Sequence, residues 1–244
     1  MSTGEDPKID VLAFAAHPDD AELACSGTLL KLRSQGRTTG IVDLTRGELG
    51  TRGSAALRDQ EAAASARILG LTVRTNLRFR DGFFQNDEEH QMAVIQVIRR
   101  FRPEVVLINA PHDRHPDHGR GSTVAGDAAF LSGLRRVETS FGGRPQEPWR
   151  PAKVWKYIQD QLILPDFVVD ITPFMEQKLA AIQAFASQFY NPMSDEPETY
   201  ISSQNFMEEL EARAKEFGHL VGVRYGEGFL SERPLRVEDL LAHL

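Results

Sequence analysis

The sequence predicts an α/β fold of Rossmann-like layout, with a mainly parallel sheet and helices on both faces. Three observations carry that prediction. Short apolar runs alternate with stretches of helical length, the rhythm of strand–helix–strand units joined by right-handed crossovers. The first and fourth of these runs each end in a cluster of His, Pro and Asp, and ligands bind at that edge of open α/β sheets. The chain has 244 residues, 41% of them hydrophobic, enough for one large core, so residues 1–244 are read as a single domain.

Residues 9–15 are apolar, short and followed by Pro18, which makes them a strand rather than a helix. Residues 21–34 follow as a helix with Gly36 near its stop, and residues 39–44 form the second strand. A loop with three glycines over 45–54 leads to an alanine-rich helix over 56–69, ending at Gly70. Residues 72–77 are the third strand, and Asp81-Gly82 makes a turn. Val94, Ile95, Ile98 and Phe101 are spaced for one buried helical face, which sets a helix over 87–102 that Arg102-Pro103 stops. Residues 105–110 are the fourth strand. Beyond them the pattern gives a helix over 118–130, a loop over 142–149, and strands over 153–158 and 167–170. Thr172 then serves as N-cap and Pro173 as first position of a helix ending near Gln188. A Pro- and acid-rich loop over 191–199 precedes a last helix over 203–217.

A formal net charge of −7 and a pI near 5.5 argue against nucleic acid or an anionic membrane as a partner. Cys25 is the sole cysteine, so no intrachain disulfide forms; the expected compartment is the reducing cytoplasm and the expected role of Cys25 is packing. Met1 to Asp6 lack the charged start and apolar segment of a signal peptide, and no later apolar run spans a bilayer. No Gly-x-Gly-x-x-Gly follows the first strand, which disfavours a dinucleotide cofactor.

The chemistry lies in the two strand-end clusters. In Ala16-His17-Pro18-Asp19-Asp20, the three-residue spacing of His17 and Asp20 puts both on one face of a helical turn, within reach of one ion. Asp19 points elsewhere from that turn and suits a water-activating carboxylate; the alternative is an Asp N-cap beside an incidental His. Pro111-His112-Asp113-Arg114-His115-Pro116-Asp117-His118 repeats the layout, with His115 and His118 again three apart. Two imidazole nitrogens and one carboxylate oxygen leave an open position for water, the pattern of a catalytic zinc site. Spacing leaves open which of His115 and His118 binds. Iron(II) suits the same ligands, so an oxygenase facial triad is a rival reading, as is a non-enzymatic metal module that would not need Asp19. His112 and Asp113 are candidates for supporting roles, whereas His90, His219 and His243 are read as surface or packing residues. Arg52 and Arg114 stand in loops at this edge, and guanidinium groups there suit an anionic substrate.

The pair His17-Pro18-Asp19-Asp20 and His115-Pro116-Asp117-His118 resembles the zinc-dependent N-deacetylases of the LmbE-like, or PIG-L, family. Residues 45–53, 58–62, 167–171 and 222–227 are similar to its bacillithiol-biosynthesis branch. The resemblance implies the LmbE-like fold, with His17, Asp20 and His118 as ligands of Zn2+ or Fe2+ and Asp19 as general base. It further implies that His115 stabilises the tetrahedral oxyanion while Asp117 orients that ring and keeps it protonated. The implied substrate is a small N-acetylglucosaminyl compound, N-acetylglucosaminyl malate in that branch, with another N-acetylglucosamine compound such as a chitooligosaccharide or thiol conjugate as its rival. The implied assembly is a homo-oligomer, commonly a hexamer.

Overall fold

Each apolar run in the first half of the chain is followed by a helix long enough to return the chain to the same end of the sheet, so the strands pair in parallel. The computed structural model describes residues 6–236. In chain order its elements are β1 (Val11–Ala15), α1 (Asp20–Ser34), β2 (Thr39–Thr45), α2 (Ala55–Leu69), β3 (Val73–Phe79), α3 (Glu88–Phe101), β4 (Val105–Ile108) and α4 (Pro116–Leu131). A small hairpin, β5 (Ser140–Phe141) and β6 (Arg144–Pro145), interrupts the segment expected to be a loop. Then come β7 (Lys153–Tyr157), β8 (Phe167–Asp170), α5 (Met175–Gln183), α6 (Gln204–Leu220) and β9 (Gly226–Ser231). One seven-stranded sheet runs in the order β3-β2-β1-β4-β7-β9-β8. Its first five strands are parallel, and β9 lies antiparallel to both neighbours.

Side chains alternate across the buried strands, so both sheet faces need cover. Leu12 and Phe14 of β1 face Val94, Ile98 and Phe101 of α3 and Val124 and Ala128 of α4. Val11, Ala13 and Ala15 face the opposite way, toward Ala24 and Leu29 of α1 and Ala181 of α5. The helices therefore cover both faces, as expected. From β1 the order departs to β2 on one side and β4 on the other. That reversal opens a crevice at the C-terminal ends of β1 and β4, where both His-Pro-Asp motifs emerge.

Three further elements differ from the expectation. Strand β9 is absent from the sequence-based reading, because Gly-Glu-Gly-Phe-Leu-Ser lacks a strand pattern. Its glycines serve close packing instead: a Cβ at Gly228 would lie 3.1 Å from the Phe217 ring, and one at Gly226 would lie 2.5 Å from Val168. Helix α5 ends five residues early, and Thr172-Pro173 begins a 3₁₀ turn, Thr172–Phe174, rather than capping an α-helix. The chain leaves α5 so that Phe185 and Phe189 enter the core and Ser187 donates its N–H and its Oγ–H to Glu61, 2.7 Å each. Helix α4 begins two residues before its expected start, because His115 accepts from the Asp117 N–H and acts as its N-cap.

Cys25 is buried in the core, as its expected packing role requires. Among the described residues no helix is long and apolar enough to cross a membrane. The readings of residues 1–5 and of His243 lie outside the described residues.

Candidate active site

Asn109, at the end of β4, ties the two motifs together. Its Oδ1 accepts the Ala16 N–H (3.0 Å) and its Nδ2 donates to Asp20 Oδ2 (3.1 Å). After Pro18 the backbone turns sharply, and Asp19 takes φ 128° and ψ −24°, a region that L-residues rarely occupy. Asp19 sits at the N-cap of α1, yet its carboxylate caps nothing. It accepts a hydrogen bond from Arg58 Nη2 at 2.8 Å instead.

Asp20 lies between two imidazoles. Its Oδ1 is 3.2 Å from His118 Nε2 and its Oδ2 is 3.7 Å from His17 Nδ1. Gln159 Nε2 donates to Asp20 Oδ1 (2.8 Å). The second nitrogen of His118, Nδ1, pairs with Asp113 Oδ2 at 2.7 Å, and Asp113 is itself fixed by the Gln161 N–H. His17 Nε2 lies 3.1 Å from Asp81 Oδ1 and 3.5 Å from Asp117 Oδ2.

His115 packs edge-on against His17, with ring centroids 4.6 Å apart. Its Nδ1 accepts the Asp117 N–H, so its Nε2 carries the hydrogen. The Asp117 carboxylate does not orient this ring in the way expected. It accepts from the Gly82 N–H (2.7 Å), pairs with Arg120 and faces His17. Burial and the charges of His17 and His118 hold the His115 pKa below its ordinary value.

The electrostatics of the cluster call for positive charge. Burial alone would lower the His17 pKa, but Asp117, Asp81 and Asp20 push it up to about 9. His118 is pushed up to about 10, because Asp20 and Asp113 outweigh its burial. The Asp20 carboxyl would rise by burial, yet the two histidines hold it far below the usual carboxylate range. Burial lifts Asp19 to about 7 against the opposing pull of Arg58. A divalent cation would satisfy the same carboxylates while leaving both imidazoles neutral, which is the state in which they bind metal. The donor set fits such an ion. The donor atoms of His17, His115 and His118 lie within 4.8 Å of one another, as do those of His17, Asp81 and Asp117. Beside Asp20, the Oε1 of Gln159 is buried without a hydrogen-bond partner.

A cleft of about 380 Å³ opens over this cluster. Both arginines expected to meet substrate line it, and both already face acids. Arg52 is buried, with Nη2 on Ser194 Oγ (2.7 Å) and Nε 3.6 Å from Glu196 Oε2. Arg114 lies over the Tyr200 ring (4.5 Å) and 3.6 Å from Asp160. The residues that sequence reasoning misses are Asp81, Asn109, Gln159 and Arg58. Asn109 and Gln159 share a readable signal, a polar side chain just past a buried strand; Asp81 is hidden in a turn, and Arg58 lies inside a helix.

The family described as PIG-L, GlcNAc-PI de-N-acetylase, matches residues 12–129, the stretch that holds both motifs. A diacetylchitobiose deacetylase from Thermococcus kodakarensis is 30% identical over 228 residues, covering 89% of this chain and 81% of that protein. A probable N-acetyl-alpha-D-glucosaminyl L-malate deacetylase 2 from Bacillus anthracis is 26% identical over 202 residues, covering 76% and 84% respectively. The solved structure of the conserved protein TT1542 from Thermus thermophilus matches with a TM-score of 0.84 at 37% identity, covering 95% of this chain and 98% of that one. With paired His-Pro-Asp motifs at adjacent strand ends and likeness of this extent to a deacetylase, the chain belongs to the PIG-L family of metal-dependent de-N-acetylases.

Proposed function

We propose that the protein hydrolyses the acetamide of an N-acetylglucosaminyl compound at a single divalent cation, zinc or iron(II), held by His17, Asp20 and His118. The observation that carries this reading is the position of Asp20 against both imidazoles, with Asp19 beside it and withheld from helix capping. His118 is preferred to His115 as a ligand because its far nitrogen is held by the Asp113 carboxylate, the usual support of a metal-binding imidazole. Bound there, the cation polarises the amide carbonyl and makes water acidic enough to lose a proton near neutral pH.

The remaining work falls to the chain's own groups. Asp19 takes the proton from the attacking water and returns it to the leaving amine. His115, neutral and bearing its hydrogen on Nε2, donates to the oxyanion of the tetrahedral intermediate. Asp117 holds the Gly82 backbone, which lines the cleft, and pairs with Arg120. Replacing Asp113 by Asn is expected to weaken zinc affinity by about 10- to 100-fold with the fold retained. Titration of the apoprotein against a competing chelator reads this directly, and an unchanged affinity would remove the argument for His118 as a ligand.

Two readings of the aglycone are separable. The loop motifs at 45–53 and the Bacillus anthracis relative support N-acetylglucosaminyl malate. The Thermococcus relative supports a neutral chitooligosaccharide, and so does the prior pairing of Arg52 with Glu196 and Arg114 with Asp160. The test is acetate release under anaerobic conditions from the malate conjugate, diacetylchitobiose and N-acetylglucosamine, with zinc- and iron(II)-loaded protein. Release is expected without O₂. A higher kcat/KM for the malate conjugate, lost preferentially in Arg52→Ala, sustains the anionic reading, and the reverse order assigns the neutral one. No release from any of the three by folded, metal-loaded protein overturns the deacetylase reading.

A further inference from the structure

We propose that Arg58 is the positioning residue for Asp19, holding the carboxylate and its strained backbone where the reacting water must be met. The proposal rests on the deacetylase reading above. Arg58 stands in the first turn of α2, which Ser54 caps by accepting the Leu57 N–H, so its Cα is set by a well-formed helix start. It is 4% exposed, and among the described residues Asp19 is the one carboxylate within 4.0 Å of it. A buried guanidinium with a single acid partner is a costly arrangement to keep for packing alone.

The geometry gives it two further tasks. Nη2 donates to Asp19 Oδ2 (2.8 Å) and also to the Pro18 carbonyl (2.5 Å), the peptide oxygen directly before the residue at φ 128°. One nitrogen thus pins both ends of the strained turn and occupies one oxygen of the base. Nη1 reaches the Gly47 carbonyl (3.4 Å) in the loop after β2. Gly47 is at φ 62°, and a Cβ there would lie 1.9 Å from Arg58 Nη1. Glycine at that position is therefore the space the guanidinium occupies. Three segments, the β1–α1 turn, the loop after β2 and the start of α2, converge on this one side chain.

The experiment compares Arg58→Met, Arg58→Lys, Gly47→Ala and the double variant Asp19→Asn/Arg58→Met, each loaded with zinc and checked for metal content and circular dichroism. A carboxylate displaced by about 1 Å costs on the order of 100-fold, so Arg58→Met is expected to lose about that factor in kcat while KM and metal content hold. Arg58→Lys recovers part of the loss by reaching one of the two acceptors. Gly47→Ala, which crowds the guanidinium without removing a charge, lowers kcat with KM unchanged. The double variant is no slower than Asp19→Asn alone, because Arg58 acts through Asp19. Should Arg58→Met fail to fold, Arg58→Lys and Gly47→Ala carry the test. Wild-type kcat in any folded, metal-loaded Arg58→Met or Gly47→Ala protein, or a double variant slower by the product of the two single losses, overturns the proposal. If the wild type releases no acetate, the functional reading fails; if Asp19→Asn is silent while Arg58→Met is not, the deacetylase reading stands while the base assignment of Asp19 and the positioning role of Arg58 both fail.

Discussion

Asp19→Asn is expected to lower kcat by about 10²- to 10⁴-fold, the range for removal of a positioned general base, and to leave zinc content at the wild-type level. The substitution is chosen on structural grounds. Asn is nearly isosteric with Asp, so the exchange adds no bulk to the turn at φ 128°. The amide oxygen can still accept from Arg58, so the side chain stays where Asp19 was. What disappears is the ability to take a proton. Metal content is expected to persist because the proposed ligands are His17, Asp20 and His118, while the Asp19 carboxylate is held by Arg58. Single-turnover acetate release with parallel metal analysis separates the outcomes. Loss of zinc from folded protein would make Asp19 a ligand, and retained turnover would move the base elsewhere in the cleft. Retained turnover would also favour water activation by the cation and its ligands alone.

The parts of this site that are legible in the sequence are those that recur within a few residues. His17 and Asp20 share one turn, His115 and His118 share another, and both follow an apolar run that only a buried strand explains. Local spacing is enough to read such groups, because a helix or turn fixes the geometry between them. Asp81 and Gln159 come from separate segments and reach the cluster only through the sheet order. Gln159 carries only the weak signal of a polar residue just past a strand and Asp81 carries none, and no periodicity encodes which strand ends become neighbours. The expected Asp117–His115 pair fails for a similar reason. Close in sequence, the two are joined through the Asp117 backbone N–H, while the Asp117 carboxylate turns toward Gly82, Arg120 and His17.

The same limit applies to charge. Arg52 and Arg114 read as free cations because their partners Glu196 and Asp160 lie far along the chain. Strand β9 escapes a sequence reading because its residues answer to α6, which needs glycine beneath Phe217, rather than to strand propensity. Parallel pairing of β1, β2, β3 and β4 is legible because each strand and helix declares itself alone. The antiparallel insertion of β9 between β7 and β8 is a property of the assembled sheet.

Lys178→Met is expected to destabilise the fold by about 3–5 kcal/mol, the cost of leaving a buried partner charge unpaired. Lys178 of α5 and Glu227 of β9 meet at 2.6 Å, with side chains 2% and 3% exposed. Their setting makes the pair more than an ion pair. Glu227 accepts the N–H groups of Gly27 (2.9 Å) and Thr28 (2.7 Å) and the Thr28 hydroxyl (2.6 Å), while Lys178 donates to the Leu23 carbonyl (2.7 Å). Gly27 N–H and Leu23 C=O are i, i+4 partners within α1, so both charges bond to backbone groups of that helix. Removing Lys178 leaves the carboxylate with three donors and no cation and deprives the Leu23 carbonyl of a donor. Chemical denaturation should show the loss as a lower midpoint with the slope unchanged. The companion variant Glu227→Gln should also destabilise, since it leaves the ammonium buried and sets an amide NH₂ against either the Gly27 N–H and the ammonium or the Thr28 N–H and hydroxyl. The double variant should lose less than the sum of the singles, because each single variant strands a charge that the double removes. Additive losses, or a Lys178→Met protein within about 0.5 kcal/mol of wild type, the usual range for uninvolved sites, would show that water or a neighbouring group replaces the ammonium. Since α1 begins with Asp20 and β9 holds that helix through Glu227, the same measurement made with and without zinc tests whether the far end of the sheet is coupled to the metal centre. A zinc-induced gain in stability that is unchanged in Lys178→Met would mean that the β1–α1 turn is set by its local contacts to Asn109 and Arg58, and that the buried pair serves the fold alone.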